Sequence, residues 1–310
     1  MVGLIAGGAH PALANRISSL LGLELLPVQL SRYPDAEVVR IDASVRGSDI
    51  YIVQPTPPPP EGFLVELLLI ADAVVRAGAA RVTAVVPYLG YSRQDRRAAG
   101  DRTAVGARVV ANILGSGSID RLVTVDLHQP AVEGFFAMPV EHLEAFPSLL
   151  QALGDVPRDS VVVAPDLGAA KLADRFAAEL KLPVAVVHKT RLTGIDVVAT
   201  RVTGDVSGLR PIIVDDMITT GGTVRAAVEA LRSAGAAGAG IAAVTHGILS
   251  PEAPETLARL GLSRLIATDS VPMPAESLAN FESVPLAPML AEAIQRMHDG
   301  RSLAPLRSHR

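Results

Sequence analysis

The strongest structural signal in this sequence is the segment Ile212-Ile-Val-Asp-Asp-Met-Ile-Thr-Thr-Gly-Gly-Thr223. Its apolar, β-branched start predicts a buried strand over Pro211–Asp215, and the Ala-rich stretch Thr223–Ser233 that follows predicts a helix. A short loop of Thr and Gly joins the two, and its glycines allow a tight turn because they have no Cβ. A strand that leads through a short loop into a helix is the repeating unit of α/β proteins with parallel sheets.

The Thr/Gly loop has the chemistry of a phosphate cradle. Its backbone N–H groups, its hydroxyls and the N-terminus of the predicted helix all favour a bound anion. Two carboxylates precede the loop at the end of the strand, where α/β proteins bind ligands, and carboxylates accept hydrogen bonds from the vicinal hydroxyls of a ribose. An ordinary turn with capping threonines is the alternative, which the paired acids disfavour. The segment therefore predicts a sugar-phosphate site formed by Asp215, Asp216, Thr219, Thr220, Gly221, Gly222 and Thr223.

The rest of the chain repeats this alternation of strands and helices. The predicted strands are Val2–Ala6, Glu24–Val28, Glu37–Ile41, Ile50–Gln54, Val82–Val86, Leu122–Asp126, Val161–Ala164, Val184–Val187, Val197–Val202, Pro211–Asp215, Ile241–Thr245 and Arg264–Thr268. The predicted helices are Pro11–Leu21, Phe63–Ala77, Thr103–Leu114, Gly168–Leu180, Thr223–Ser233 and Pro254–Leu260. This pattern predicts an α/β fold with mainly parallel sheets flanked by helices. Periodicity lapses over Glu144–Pro157 and the two halves look alike, so we expect two similar domains, residues 1–147 and 148–310.

Composition limits the classes of function. Of the 310 residues, 49% are hydrophobic and 19% are charged, which predicts a folded chain with sizeable cores. The net charge is −4 and no run is basic, so we expect neither nucleic-acid nor membrane partners. The absence of Cys excludes disulfides and thiolate metal sites. The longest apolar stretch, Phe63–Val75, contains Glu66 and Asp72, and Met1–Ala6 is too short for a secretory signal, so we expect a soluble, cytoplasmic protein.

Several further motifs resemble one enzyme family. The loop after Asp215 resembles the ribose-5-phosphate loop of type I phosphoribosyltransferases and of ribose-phosphate diphosphokinases, also called PRPP synthetases. Eight further motifs resemble the PRPP synthetases alone, and they occur along the chain in the same order as in that family. They are Ser31-Arg-Tyr-Pro-Asp-Ala-Glu37, Ser44-Val-Arg-Gly47, Pro87-Tyr-Leu-Gly-Tyr-Ser-Arg-Gln-Asp-Arg96, Thr124-Val-Asp-Leu-His128, Gly134-Phe-Phe136, Ala164-Pro-Asp-Leu-Gly168, Lys189-Thr-Arg191 and Thr245-His-Gly247. This resemblance implies two phosphoribosyltransferase-like domains. It also implies transfer of the β,γ-diphosphoryl group of Mg-ATP to the anomeric hydroxyl of ribose 5-phosphate, which requires positioning and charge stabilisation.

The resemblance implies roles for a metal-binding pair and a cationic pair. His128 and Asp166 each follow an apolar strand and match the family's ligands for nucleotide-bound Mg²⁺, a cation that retains several waters and phosphate oxygens. Lys189 and Arg191 match the cations that neutralise the transferring diphosphoryl group, and their alternation would place both side chains on one side of an extended chain. The alternative for His128 is a histidine of the core with its hydrogen bonds satisfied, and the alternative for Lys189 and Arg191 is a solvated pair at the mouth of a loop. The segment Leu192–Ile195 is interpreted as a lid over ATP.

A further set of residues is expected to bind ATP: Tyr33, Asp35, Glu37, Arg93, Gln94 and Arg102. Arg93 would hold phosphates through its bidentate guanidinium with Gln94 assisting, and an ordinary surface charge is the alternative. The stretch from Tyr33 to Glu37 matches one that in the family contacts adenine from a neighbouring subunit. The resemblance therefore implies a homo-oligomer, a dimer or higher, with an ATP site across a subunit interface.

Two other functions are compatible with parts of this pattern. A non-catalytic associated subunit of the same fold would be expected to lose the Lys-x-Arg pair, the histidine or the loop acids, and this chain retains all of them. A phosphoribosyltransferase that consumes PRPP would need neither His128 nor Lys189 nor the first half of the chain. The sequence therefore favours the catalytic diphosphokinase.

Overall fold

The computed structural model describes residues 1–34, 36–98, 100–191, 198–272 and 278–307, without the side chains of 32, 189–191 and 198–200. The strands are β1 (Val2–Ala6), β2 (Val28–Arg32), β3 (Glu37–Ile41), β4 (Asp49–Val53), β5 (Arg81–Val86), β6 (Arg121–Val125), β7 (Val140–Leu143), β8 (Ser160–Ala164), β9 (Val184–Arg191), β10 (Val198–Thr203), β11 (Arg210–Ile218), β12 (Ile241–Gly247), β13 (Arg264–Thr268) and β14 (Phe281–Val284). The helices are α1 (Pro11–Leu21), α2 (Pro60–Arg76), α3 (Gly106–Gly115), α4 (Phe146–Leu153), α5 (Ala170–Leu180), α6 (Gly222–Ser233), α7 (Ala253–Ala258) and α8 (Ala287–His298). Short 3-10 helices lie at Pro130–Phe135 and Ala304–Leu306.

The chain folds into two compact units. Unit 1 comprises Met1–Ala145, Ser270–Pro272 and Pro285–Arg310, and unit 2 comprises Phe146–Asp269 and Met273–Val284. The sequence pattern assigns the whole C-terminal part to the second domain, whereas α8 packs against α1 in unit 1. Helix α8 buries Leu290 and Ile294, and α1 buries Leu13 and Ile17. An apolar helix face is stabilised by whichever complementary face it meets, and position along the chain does not decide this.

Unit 1 contains a parallel sheet with the strand order β1-β4-β5-β6-β7. Its strand β4, which lies between β1 and β5, is buried along its whole length, and α2 adds Leu64, Leu67 and Ile70 to the same core. Strands β2 and β3 form a separate antiparallel hairpin. Unit 2 contains a sheet with the order β10-β9-β8-β11-β12-β13-β14, which is parallel except for β10. The predicted α/β class with mainly parallel sheets is therefore confirmed.

The predicted strand Glu24–Val28 is wrong in position. Leu25 makes one isolated parallel bridge with Leu4, and the Leu26 N–H donates to the Leu4 carbonyl at 2.8 Å. Pro27 follows and has no N–H with which to continue the ladder. Strand β2 begins only at Val28, where it pairs with β3.

Strand β11 is longer than predicted. Its pairing with β8 ends at Ile213↔Val163, but its pairing with β12 continues to Ile218↔Gly247. Asp215 and Asp216 therefore lie inside a strand, beyond the end of the β8 ladder, rather than at the carboxyl end of the strand. Tertiary pairing with one neighbour extends the strand past the acids, which local propensity alone disfavours.

A buried polar network ties the loop after β1 to α2. Glu66 is fully buried, and its carboxylate accepts hydrogen bonds from the Gly8 N–H and, at 2.7 Å, from the Gln54 amide. The Gln54 carbonyl oxygen in turn accepts the Ala9 N–H at 3.0 Å. Glu66 thus satisfies backbone and amide donors inside the core.

No helix in the described part of the chain is long and apolar enough to cross a membrane.

Candidate active site

The Thr/Gly loop of unit 2 forms a tight turn between β11 and α6. Gly221 has φ +78°, in the left-handed region that favours glycine, and directly precedes α6. A Cβ at Gly221 would lie 3.2 Å from Leu257 Cδ2 and 3.3 Å from Thr256 Cγ2. The loop therefore packs directly on α7: the backbone conformation favours glycine at this position, and a larger residue would have to displace the side chains of α7 slightly.

Hydrogen bonds from the segment after β12 hold this loop. The Ile248 N–H donates to the Ile218 carbonyl at 2.8 Å, and the Ser250 N–H donates to the Thr219 carbonyl at 3.2 Å. Within the loop, the Thr220 hydroxyl accepts the Gly222 N–H at 3.3 Å. Because α6 begins immediately after the loop, its first-turn N–H groups and positive dipole end lie at the same place, which favours a bound anion.

Three carboxylates lie close together beside this loop. Asp215 and Asp216 are consecutive in β11, and the Asp216 N–H donates to Asp215 Oδ1 at 2.9 Å. Burial raises the pKa of the Asp215 carboxyl well above its usual value, and the charges of Asp216 and Asp166 raise it further. Such a concentration of acids favours partners that donate hydrogen bonds or carry positive charge.

Asp166 is held rigidly just after β8. Its Oδ1 accepts hydrogen bonds from the Gly168 N–H at 2.9 Å and the Ala169 N–H at 3.4 Å, which closes the turn that leads into α5. Among the residues that the structure describes, no group of three or more His, Asp or Glu side chains could hold a metal ion. A Mg²⁺ that arrives with a nucleotide needs only one or two carboxylates, since phosphate oxygens and water complete its shell. Asp166 fits that requirement, being a half-buried carboxylate of fixed orientation.

The predicted cationic pair lies on β9. This strand continues past the predicted end at Val187 because β10 pairs with it antiparallel, in the register Lys189↔Thr200 and Arg191↔Val198. The two cations thus occupy alternate positions of one strand, although their side chains lie outside the description. The predicted lid, Leu192–Ile195, also lies outside the described residues.

In unit 1, His128 lies on a strained turn after β6. Asp126 has φ +40°, which is unfavourable for a residue with a Cβ. The Leu127 N–H donates to His142 Nε2 at 3.0 Å, and the Ala145 N–H donates to Asp126 Oδ2 at 3.1 Å. Sequence reasoning missed His142, because it lies on β7, a four-residue strand too short to show a period.

Arg93 and Gln94 lie on a second tight turn of unit 1. Tyr91 has φ +66°, and the Gln94 carbonyl accepts the Ala107 N–H at 3.1 Å at the start of α3. The Gln94 amide covers this helix start so closely that a Cβ at Gly106 would lie 2.5 Å from its Oε1. Arg93, Gln94 and, further along, Arg102 are exposed and available to a ligand.

The remaining predicted nucleotide residues lie on the β2–β3 hairpin. Tyr33 is 60% exposed, and Val38, which pairs with Ser31 in the hairpin, is 50% exposed. The Tyr33 N–H donates to the Ala36 carbonyl at 2.7 Å, which closes the hairpin, and Glu37 begins β3. Asp35 lies outside the described residues. The hairpin therefore presents an aromatic ring and an aliphatic side chain to the surroundings of unit 1.

Comparisons with known proteins extend over both units. Residues 2–117 match the N-terminal domain of ribose phosphate pyrophosphokinase, and residues 196–307 match the phosphoribosyl synthetase-associated domain. A ribose-phosphate pyrophosphokinase of Corynebacterium efficiens is 41% identical over 309 residues, which cover 98% of this chain and 94% of the relative. Its counterpart in Caldanaerobacter subterraneus is 40% identical over 310 residues, with 98% and 96% covered. The crystal structure of phosphoribosylpyrophosphate synthetase from Mycobacterium smegmatis matches with a TM-score of 0.90 at 38% identity, covering 96% of this chain and 99% of that one.

Proposed function

The chain belongs to the ribose-phosphate pyrophosphokinase family, and on this premise we propose that it transfers the β,γ-diphosphoryl group of Mg-ATP to the anomeric hydroxyl of ribose 5-phosphate, giving PRPP and AMP. The observation that carries this proposal is the likeness to whole pyrophosphokinases over 98% of the chain. A phosphoribosyltransferase is disfavoured because the likeness includes the first unit, and a non-catalytic subunit is disfavoured because the motif residues are retained.

Ribose 5-phosphate is assigned to the Thr/Gly loop and the acids before it. The phosphate would accept hydrogen bonds from the first turn of α6 and from the hydroxyls of Thr219, Thr220 and Thr223, while Gly221 and Gly222 permit close approach. The vicinal hydroxyls of the ribose would donate to Asp215 and Asp216. Hydrogen bonds from the sugar's hydroxyls would thus offset both the burial and the neighbouring negative charges that raise the pKa of Asp215.

The diphosphoryl group and its Mg²⁺ are assigned to four residues. Attack by the anomeric oxygen forms a new bond to the β-phosphorus and breaks its bond to AMP, so charge on the phosphoryl oxygens must be stabilised. Lys189 and Arg191 would supply that positive charge. Asp166 and His128 match the family's ligands for the Mg²⁺ of Mg-ATP, and the ion would supply positive charge to the phosphate oxygens.

The rest of ATP is assigned to unit 1. Arg93, Gln94 and Arg102 would contact the phosphates, for which their exposed positions are suited. Tyr33, Asp35 and Glu37 would contact the adenine of a neighbouring subunit, and the exposed Tyr33 and Val38 support a hairpin that another chain covers. We therefore infer a homo-oligomer that uses ATP and ribose 5-phosphate as partners, and a cytoplasmic location where both occur.

The decisive experiment measures AMP release and PRPP formation from Mg-ATP and ribose 5-phosphate. We expect stoichiometric AMP and PRPP, with ³¹P NMR showing a diphosphate on the sugar. AMP release that does not depend on the sugar phosphate would contradict the assignment. Controls with unphosphorylated ribose and with other pentose phosphates test the acceptor. Incubation of PRPP and diphosphate with free nucleobases tests the phosphoribosyltransferase alternative.

A further inference from the structure

The turn that carries His128 is held in place by a second histidine. Asp126 adopts φ +40°, so the turn is strained and does not form without support from its surroundings. One support is the Asp126 carboxylate, which accepts the Ala145 N–H at 3.1 Å, and another is the Asp126 N–H, which donates to the Leu143 carbonyl at 3.0 Å. The backbone of the next residue, Leu127, is held by a side chain, because its N–H donates a hydrogen bond to His142 Nε2 at 3.0 Å.

The bond from Leu127 defines the state of the His142 ring. A backbone N–H can only donate, so Nε2 must carry a lone pair and the ring must be neutral with its proton on Nδ1. Burial lowers the pKa of His142, which favours the same neutral form. Leu127 is itself buried, with its side chain 6% exposed, so its N–H would be costly to leave unpaired.

We propose that His142 is a positioning residue for the reaction: by accepting the Leu127 N–H, it fixes the strained turn that carries His128, whose imidazole would hold nucleotide-bound Mg²⁺. This inference rests on the proposed function and adds to it a residue on a different strand. Groups that orient a metal-binding histidine influence metal affinity or activity by about 10- to 100-fold. The role predicted here is of that kind, although His142 acts through the backbone.

The test compares acceptor and non-acceptor side chains at position 142. His142→Phe retains an aromatic ring without an acceptor, His142→Leu is a second apolar variant, and His142→Gln offers an amide oxygen to the Leu127 N–H. We expect His142→Phe to lower kcat/KM for Mg-ATP by about 10- to 100-fold with the KM of ribose 5-phosphate unchanged. His142→Gln should recover most of that loss. His298→Phe is the matched control, because His298 contacts Asp49 at 3.1 Å, away from this turn, and its Mg-ATP kinetics should be unaffected.

A double-mutant cycle separates positioning from a general structural effect. In the His128→Ala background, His142→Phe should cause no further loss, because the residue through which it acts is gone. Equal losses in both backgrounds, or unchanged Mg-ATP kinetics in His142→Phe, would overturn the proposal. The proposal would also be overturned if His142→Phe and His142→Leu both fail to fold while His142→Gln folds, because His142 would then be needed for folding itself. A wild-type protein that releases no AMP would contradict the proposed function instead, so the two failures are distinguishable.

Discussion

Asp166 and Asp215 lie within electrostatic reach of each other, one just after β8 and the other in β11, beyond the last residue pair that these strands share. Burial is the main cause of the raised pKa of Asp215, and the charges of Asp216 and Asp166 add to it. The site therefore concentrates negative charge in the free protein. That arrangement disfavours folding and favours binding of hydroxyl groups and cations.

The first prediction concerns stability against pH. Because the pKa of Asp215 is higher in the folded than in the unfolded chain, the folded state binds the proton more tightly. The contribution of Asp215 to stability is therefore complete below about pH 4 and is lost as pH rises through the folded pKa. Asp215→Asn should raise the free energy of unfolding at pH 7, because it removes a buried charge beside other carboxylates, and the difference should vanish in acid.

Urea unfolding between pH 4 and pH 8 measures this effect. Asp159→Asn is the matched control, because Asp159 lies in an exposed pair with Arg210 at 3.1 Å and its substitution should show no comparable gain. An Asp215→Asn variant that is no more stable than the wild type at pH 7 would show that neither burial nor the neighbouring carboxylates disfavour the charged form of Asp215.

The second prediction concerns the sugar. Asp215→Asn combined with Asp216→Asn should raise the KM of ribose 5-phosphate strongly, because both proposed acceptors for the diol lose their charge. The KM of ATP should change much less. Initial rates with each substrate varied in turn check this. A raised ATP KM with an unchanged sugar KM would move the sugar site elsewhere.

The third prediction concerns the cation at position 189. Lys189→Ala should lower kcat by roughly 10²–10³-fold, the scale for removing one group that stabilises transition-state charge. Binding of ATP should change less. Lys171→Ala is the control, since Lys171 is an exposed lysine of α5 in the same unit and should leave kcat unchanged. A kcat of Lys189→Ala within about threefold of the wild-type value would show that Lys189 does not stabilise charge in the transition state.

The fourth prediction compares the two glycines of the loop. Gly221→Ala should destabilise unit 2 by about 1–2 kcal/mol, because φ is positive and the new Cβ would crowd Leu257. Gly222→Ala should leave the Tm unchanged or higher, because Gly222 has no positive φ and begins α6. Thermal unfolding of both variants tests the pair. Equal Tm values would mean that the loop does not need the left-handed conformation.

The fifth prediction compares two acids of α2. Glu66→Leu should cost more than about 2 kcal/mol, because the Gly8 N–H and the Gln54 amide lose their buried acceptor. Asp72→Ala, which removes an exposed pair with Arg76, should leave the Tm unchanged. Chemical denaturation of both variants measures their free energies of unfolding. A Glu66→Leu variant as stable as Asp72→Ala would show that another group satisfies these donors.

The sequence carries much of the local structure. Strand β1 and helix α1 lie where the periodicity predicts them, because both depend on the spacing of apolar residues over a few turns or pleats. The start of α6 differs by one residue from the prediction, since Gly and Thr mark that turn locally. Helix α8, which the sequence analysis does not predict, has apolar Leu290 and Ile294 four residues apart, a spacing typical of an amphipathic helix.

The sequence by itself determined most of the strands and helices, the Thr/Gly loop and the family likeness, because these are patterns of neighbouring residues. Only the tertiary structure decided that α8 joins unit 1, that β11 continues past its acids, that burial and then the charges of Asp216 and Asp166 raise the pKa of Asp215, and that His142 supports Leu127. Each of these depends on residues that are distant in the chain and meet only after the sheet has formed. Hydrogen bonds and charge interactions act over a few ångströms of space, whatever the separation along the chain.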